Sequence, residues 1–351
     1  MFFSIIVPVY NAAHLLPAKI EMLLQQSFDD FEVIIIDDGS KDDTALVCAE
    51  YEGRDERLRI YRIQNSGSGV ARNVGIEKAR GKYLVFLDVD DEMTSNALEN
   101  ISKYCYEDRT DLIVFGHEVV NTEGQKSRRI TYTEHEFEGE YVRTNLEKFF
   151  DRNQEYYIYG VPWNKVYRTD IVKQYSICFP ELRRHQDQVF VLTYLSHVNN
   201  ISFVSDVLYK YYAPNTFETE KKLPEDYFSV VLELDRRTRE IVCGWNEKNN
   251  KIASLLDAKL IFLTFKACEN MILRCGRKEL RWKYKEFKEM LDIEPVRDAV
   301  KSARNMEYRY YQCMLGLLKK ERKFMLFCLL ATRVEIQKMR KRICDIRGTV
   351  K

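Results

Sequence analysis

The sequence predicts an α/β domain, a parallel sheet covered by helices, followed by a mostly helical region. Three observations predict it. Short apolar runs alternate with helix-length stretches through the first ninety residues, polar and acidic residues gather just after those runs, and beyond about residue 215 apolar residues recur at helical spacing. The runs at 3–9, 32–36, 58–63 and 83–87 are rich in Val, Ile, Leu, Phe and Tyr, and read as strands buried on both faces. Residues 12–26, 42–51 and 68–79 lie between them and have the length and apolar spacing of helices. This β-α-β alternation implies parallel strands with right-handed crossovers. In such sheets ligands sit beyond the carboxyl ends of the strands. A further strand is expected at 112–115, and 117–145 reads as an insertion carrying a hairpin with its turn at 121–124. The loop 213–226 breaks the pattern. After it, Ile252, Leu255, Leu256, Leu260 and Leu263 fall at three- and four-residue spacing. A boundary near 215 divides the chain into 1–215 and 216–351.

Length, charge and cysteine usage narrow the class. With 351 residues, 45% of them apolar, the chain can bury the cores of about two domains. The net charge of +1 gives no reason to expect nucleic acid as a partner. The charge is uneven, however. Residues 319–351 hold eleven Lys and Arg against three acids, a net of +8, which leaves −7 on the rest. Nine scattered cysteines without a C-x-x-C pair suit reduced thiols in a cytoplasmic protein better than disulfides or structural zinc. The amino terminus is apolar but short for a signal peptide and lacks a basic start. The most apolar later run, 324–331, is eight residues long, against the ~20 of a membrane span, so no crossing is expected.

The polar residues after the strands carry the chemistry. Pro8, Tyr10 and Asn11 follow the first strand, Asp37, Asp38, Gly39 and Ser40 the second, and Asp88, Asp90 and Asp91 the fourth. Two acids one residue apart offer hard oxygen ligands to a divalent cation that bridges a diphosphate, and an acid at a strand end can accept bonds from ribose or base. Asp37 and Asp38 suit either that role or simple turn chemistry. Other nucleotide folds fit poorly. A Rossmann dehydrogenase needs G-x-G-x-x-G after its first strand, where this chain has Val-Tyr-Asn-Ala-Ala-His. Gly67 and Gly69 follow the third strand instead, and there is no P-loop. Haloacid-dehalogenase-type phosphatases place their paired Asp early in the chain with Thr or Val two positions on, where Glu92 stands here. A nucleotidyltransferase would want a Gly-rich basic loop straight after the first strand.

One family pattern does fit. Ser4-Ile-Ile-Val-Pro-Val-Tyr-Asn11, Phe31-Glu-Val-Ile-Ile-Ile-Asp-Asp-Gly-Ser40, Asn65-Ser-Gly-Ser-Gly-Val-Ala-Arg-Asn-Val-Gly75 and Phe86-Leu-Asp-Val-Asp-Asp91 closely resemble, in order and spacing, the motifs of family 2 glycosyltransferases. Pro162-Trp-Asn-Lys-Val-Tyr167 and Gln186-Asp-Gln-Val-Phe190 resemble the acceptor-side and catalytic-base segments of such enzymes, so the resemblance covers roughly residues 3–212. It implies a GT-A fold, with a mixed central sheet, and an inverting transfer of sugar from a nucleotide-diphosphate donor, usually UDP-linked, to an acceptor hydroxyl. Pro8, Tyr10 and Asp38 would line the base, and Arg72 would reach base or phosphates. Asp88 would meet ribose and metal, Asp90 would ligate Mn²⁺ or Mg²⁺, and Asp187 would be the general base. Trp163 and Asn164 would floor the acceptor site, or else Trp163 is core.

The chemistry accounts for these residue types. A nucleotide diphosphate leaves as an anion, so cation and Arg can stabilise it without a proton donor. One carboxylate then suffices to take the acceptor's proton, and an ordinary Asp, with a reference pKa of ~4, is ionised at neutral pH. Two departures stand out. Gln186 replaces the Glu usual before the base, and the segment 209–216 lacks the Arg or His of many relatives, with Lys210 as the substitute on offer. A catalytically silent sugar-nucleotide-binding or scaffold protein is therefore the alternative. His185 is expected to be an exposed bystander.

The tail completes the reading. Met325, Leu329, Ile336, Met339, Ile343 and Ile346 can share one helical stripe, with Lys320, Arg322, Lys323, Lys338, Arg340, Lys341 and Arg342 around it. Such a helix either packs its stripe on the body, the favoured reading, or lies on an anionic membrane surface through 319–347. The second use would suit a lipid-linked rather than a free saccharide acceptor and a peripheral position on the inner face of the plasma membrane.

Overall fold

The four apolar runs become the parallel half of one sheet: β1 (Phe3–Val9), β2 (Phe31–Asp37), β3 (Leu58–Arg62) and β4 (Tyr83–Phe86). In this computed structural model, residues 1–105, 110–121, 127–150, 154–213, 223–245, 250–274, 280–304 and 309–348 are described, the side chains of 250 and 340–348 excepted. β1 lies between β2 and β4, parallel to both, and β3 flanks β2. All residues of β1, β2 and β4 are buried, as strands covered on both faces must be. The polar Ser4 and Glu32 are no exception, because Ser4 Oγ donates to Glu32 Oε1 at 2.7 Å. Connecting helices α1 (Leu16–Leu24), α2 (Thr44–Tyr51) and α3 (Ser68–Lys78) cover these strands. α3 sits so close to β1 that a Cβ on Gly75 would stand 2.4 Å from Ile6 Cγ2; only glycine permits that approach.

The rest of the sheet is mixed. β9 (Lys165–Arg168) runs antiparallel between β4 and β6 (Leu112–Asn121), and β10 (Asn200–Ala213) pairs parallel with β6. The two-residue β5 (Glu92–Met93) closes the order β3-β2-β1-β4-β9-β6-β10-β5, while β7 (Ser127–Ile130) pairs with β6 and β8 (His135–Glu138) with β10. β6 is longer than the 112–115 expected, because its polar half is held by β7 on one side and by β10 on the other. The β6–β7 ladder is the expected hairpin, although residues 122–124 of its turn lie outside the described residues. β10 slips register between Phe203 and Val207 and again before Tyr209. These irregularities leave consecutive Leu208 and Tyr209 in one core cluster, whereas a regular strand would point them to opposite faces. Short helices α4 (Ala97–Ser102), α5 (Gly139–Thr144) and α6 (Thr169–Gln174) and the longer α7 (Gln186–Leu195) complete this part.

By compactness the chain divides into a first unit, Met1–Ala213 with Gly244–Asn246, and a second, Pro214–Cys243 with Glu247–Lys351. Residues 214–222 of the expected linking loop are outside the described residues. The second unit is helical: α8 (Tyr227–Cys243), α9 (Asn250–Arg274), α10 (Leu280–Asp292), α11 (Glu294–Ser302), α12 (Arg309–Lys319) and α13 (Lys323–Gly348). Ile252, Leu256, Leu260 and Leu263 of α9 are buried, as their spacing requires. α13 corrects the sequence reading. It buries Leu326, Phe327, Leu330 and Val334, whereas Met325, Leu329, Ile336 and Met339 of the expected packing stripe are exposed, and the Ile343 and Ile346 side chains lie outside the described residues. Two apolar faces share one helix, and the packing selects the shorter-spaced one. Among the described residues no helix is long and apolar enough to cross a membrane.

Candidate active site

The carboxyl ends of β1, β2 and β4 open on a cavity of about 230 Å³. Pro8 and Tyr10 reach it from β1, Asp38 from β2, Ser68 and Arg72 from α3, and Asp88 and Asp90 from the loop after β4. Six of the residues singled out by sequence therefore border one space. β1 ends early against β4, at Ile6, so Pro8, which has no N–H to give, interrupts no ladder bond on that side. Tyr10 presents an exposed ring at the rim.

Arg72 organises the floor. It projects from the second turn of α3, its Nη2 donates to Asp88 Oδ1 at 2.6 Å, and its Nη1 donates to Asp187 Oδ1 at 3.1 Å. Asp88 and Asp187, almost a hundred positions apart in sequence, thus meet across one guanidinium, whose carbon stands 5.3 Å from the Phe179 ring centre. Only 4% of Arg72 is exposed. Burial alone would lower its pKa, but the charges of Asp88 and Asp187 outweigh burial and fix it as a permanent cation, above the ordinary arginine range. Asp187 stands in the first turn of α7. Water still reaches 32% of its side chain, yet protein surrounds it on most sides. Desolvation raises its pKa, Asp88 adds to the rise, and Arg72 and Lys165 pull against it. Its environment thereby makes it a better proton acceptor than a solvated Asp.

Asp37 and Asp38 divide the two roles left open for them. Asp37 Oδ1 accepts from Ser40 N at 2.9 Å and so closes the turn. Asp38 lines the cavity, but its oxygens already accept from Ser66 N at 2.7 Å and Gly67 N at 2.8 Å, fixing the approach to α3. Asn65 Nδ2 adds a long bond to Asp38 Oδ2 at 3.5 Å, and Oδ1 retains a second lone pair for a ligand N–H.

The loop 88–91 is held from below by residues that sequence reading passed over. Tyr209, fully buried, donates its hydroxyl to Asp91 Oδ2 at 2.7 Å and accepts from Asp88 N at 3.3 Å. Tyr212 N donates to Asp91 Oδ1 at 2.9 Å, and the buried Lys19 ammonium bonds the Asp91 carbonyl. Burial pushes the Asp91 carboxyl up to about 7. Asp91 is therefore a brace, and Asp88 and Asp90 are the acids that face the cavity. Their hard oxygens suit a divalent cation that takes its remaining ligands from water and diphosphate. Among the described residues no three acids, His or Cys form a complete metal cluster. Among the described residues that line the cavity, Asp38, Asp88 and Asp90 stand against Arg72, an acid surplus that a cation would offset.

Two expectations need correction. Trp163 is 4% exposed, stacked on Tyr209 at 4.4 Å, with His117 edge-on at 4.8 Å, and Asn164 is 1% exposed. Neither offers a face to an acceptor; both sit beneath the site, in the role of core. Their neighbour Lys165 is also fully buried, donating to Val161 O at 2.7 Å and Asn164 Oδ1 at 2.8 Å, and burial lowers its pKa to about 7 against the opposing charge of Asp187. His185 is half-buried rather than exposed, with a left-handed backbone (φ 64°), and burial, then Arg184, lowers its pKa to about 4. At neutral pH it is an uncharged ring.

Known proteins resemble this chain in sequence and in fold. Residues 4–176 match the family model described as Glycosyl transferase family 2. The chain is 30% identical over 220 residues to the putative glycosyltransferase EpsH of Bacillus subtilis, covering 59% of this chain and 60% of that protein. It is 29% identical over 239 residues to the poly(ribitol-phosphate) beta-N-acetylglucosaminyltransferase TarS of Staphylococcus aureus, covering 66% of this chain and 39% of TarS. The matches thus span at most about 60% of these relatives. Among solved structures, S. aureus TarS 1–349 in complex with UDP-GlcNAc superposes with a TM-score of 0.64 at 21% identity, over 97% of this chain and 92% of that one. The mannosyltransferase PcManGT of Pyrobaculum calidifontis, in complex with GDP-Man and Mn²⁺, reaches 0.51 at 12% identity, over 94% and 86%. At these identities the likeness is one of fold, the GT-A fold.

Proposed function

From a chain that belongs to the family 2 glycosyltransferases, we propose an enzyme that transfers a sugar, with inversion, from a UDP-linked donor to an acceptor hydroxyl in cell-surface polysaccharide synthesis. One observation carries the reading: Arg72, which lines the cavity, joins Asp88, on the donor side, to Asp187. UDP is preferred as carrier because TarS is crystallised with UDP-GlcNAc, and a cell-surface polymer as acceptor because TarS is named a poly(ribitol-phosphate) beta-N-acetylglucosaminyltransferase.

Each residue then has a task. Tyr10 and Pro8 flank the base, and Asp38 accepts its N–H. Asp88 and Asp90 would hold a Mn²⁺ or Mg²⁺ ion, as their oxygen donors suit, and this ion supplies Lewis-acid neutralisation of the departing diphosphate. Arg72 adds a fixed positive charge beside the same oxygens without needing to reorganise. Asp187, with its raised proton affinity, takes the acceptor proton as the hydroxyl attacks the anomeric carbon on the face opposite the leaving group. The acceptor enters past Asp187 rather than over Trp163.

The second unit adds a place of work. The outward stripe of α13 (Met325, Leu329, Ile336, Met339), together with a tail of net charge +8, complements an anionic membrane surface better than water. A lipid-linked acceptor at the cytoplasmic face of the plasma membrane follows. Co-sedimentation with phosphatidylglycerol vesicles tests this: binding that is lost at high salt and in a 1–318 chain supports it, and equal binding to neutral vesicles refutes it.

The catalytic reading is tested by UDP release from a panel of UDP-sugars with and without Mn²⁺. Metal-dependent release that disappears in Asp90→Ala is expected. Tight UDP-sugar binding in a thermal-shift assay with no release, with or without candidate acceptors, would instead identify a silent sugar-nucleotide-binding protein.

A further inference from the structure

We infer that Gln186 is a positioning residue, a latch between the amino termini of α3 and α7 that sets Asp187 against Arg72; the inference rests on Asp187 being the base. Gln186 is the first residue of α7 and Ser68 the first of α3. With its amide turned so that both ends are satisfied, Gln186 Nε2 donates to Leu182 O at 3.0 Å, while Oε1 accepts from Gly69 N at 3.2 Å and Ser68 Oγ at 2.8 Å. α3 has no side-chain cap of its own, so Gln186 satisfies a donor that the helix leaves open. The fit is tight: a Cβ on Gly69 would lie 2.3 Å from the Gln186 amide head.

The consequence reaches the chemistry through one residue on each side. Asp187 follows Gln186 directly, and Arg72 stands one turn beyond Ser68, so the latch spans the same two helices as the 3.1 Å Arg72–Asp187 contact. An ion pair between a guanidinium and a carboxylate loses direction quickly when its supports drift. Gln is suited to the place in a way that Glu is not. Three partners meet the head group, two donors and one acceptor, and a carboxylate could satisfy the donors but would face the Leu182 carbonyl with a second oxygen. The Gln in place of the usual Glu therefore reads as a completed hydrogen-bond set.

The experiment combines Gln186→Ala, Gln186→Glu and Gly69→Ala, read by kcat and donor KM in UDP-sugar turnover, by UDP affinity in calorimetry, and by amide exchange of residues 66–72. Gln186→Ala should lower kcat at least tenfold, with donor KM and UDP affinity within about threefold, and speed exchange at Gly69. Gln186→Glu should recover Gly69 protection and part of kcat. Gly69→Ala should lower the melting temperature of the native chain but not that of Gln186→Ala, where the space has been vacated. Unchanged Gly69 exchange in Gln186→Ala, or a fall in kcat matched by an equal fall in UDP affinity, overturns the latch. The exchange arm stands without turnover, whereas loss of the base reading shows separately, as Asp187→Asn turnover equal to that of the native chain.

Discussion

Replacing Tyr209 by Phe isolates one oxygen atom under the loop that carries Asp88 and Asp90. The ring stays, stacked 4.4 Å from Trp163, so packing is preserved and only the hydroxyl bonds are lost. Those bonds are the donation to Asp91 Oδ2 at 2.7 Å and the acceptance from Asp88 N at 3.3 Å. Asp91 is 1% exposed, so water does not take over the vacated position. Above about pH 7, where Asp91 is ionised, a hydrogen bond to it contributes about 1.5–3 kcal/mol, and the long contact to Asp88 N adds little, so the loss there should be roughly 2–3 kcal/mol. For a unit of this size each kcal/mol shifts Tm by about 2–4 °C, so a fall of roughly 4–12 °C is expected. Urea and thermal denaturation with EDTA, which removes any bound cation, measure this directly. A change below about 0.5 kcal/mol would mean that the Asp91 brace is not formed in solution.

Three further outcomes follow from the same geometry. Asp187→Asn should lower kcat roughly 10²–10⁴-fold with donor affinity nearly unchanged; in the native enzyme, activity should fall as pH drops through the raised Asp187 pKa, so the acid limb of kcat/KM should lie above the ordinary 3.8. Arg72→Lys keeps the charge but cannot hold Asp88 and Asp187 together; losing one charge-assisted bond of about 1.5–3 kcal/mol should cost roughly 10–150-fold in kcat/KM, read in the same UDP-release assay. Lys165, lowered from 10.5 to about 7, is neutral in the fold over a window where the unfolded chain still binds its proton. Stability should therefore rise with pH from about 7 to 10.5, by at most ~1.4 kcal/mol per pH unit, and urea midpoints for Lys165→Met should lack that rise.

Much of the first unit is legible in the sequence because parallel strands covered on both faces must be nearly pure apolar runs, and Phe3–Val9 and Phe31–Asp37 are. Lys165–Arg168 and Asn200–Ala213 escape the same reading. One is four residues with charged ends, and the other has exposed or half-buried positions through a register slip, so neither shows a clean period. The acids after β4 are legible as a group, but which one braces and which ones face the cavity depends on Tyr209, more than a hundred residues away. Trp163 shows the reverse limit. An aromatic residue next to functional positions can as well be their support as their surface, and only burial separates the two. Gln186 looked like a defect until its three partners came together in space.

The irregular stretch of β10 bears on how this fold could be rebuilt. A strand alternates its faces, so adding or deleting a single residue between Phe203 and Tyr209 would rotate every later side chain by half a turn. The phenol under the acid loop would swing toward the opposite face, Tyr211 would leave the indole, and a change made well outside the cavity would disable it. Two-residue changes there keep phase. Chimeras between this chain and its relatives should therefore tolerate even-numbered splices in that segment and fail with odd ones.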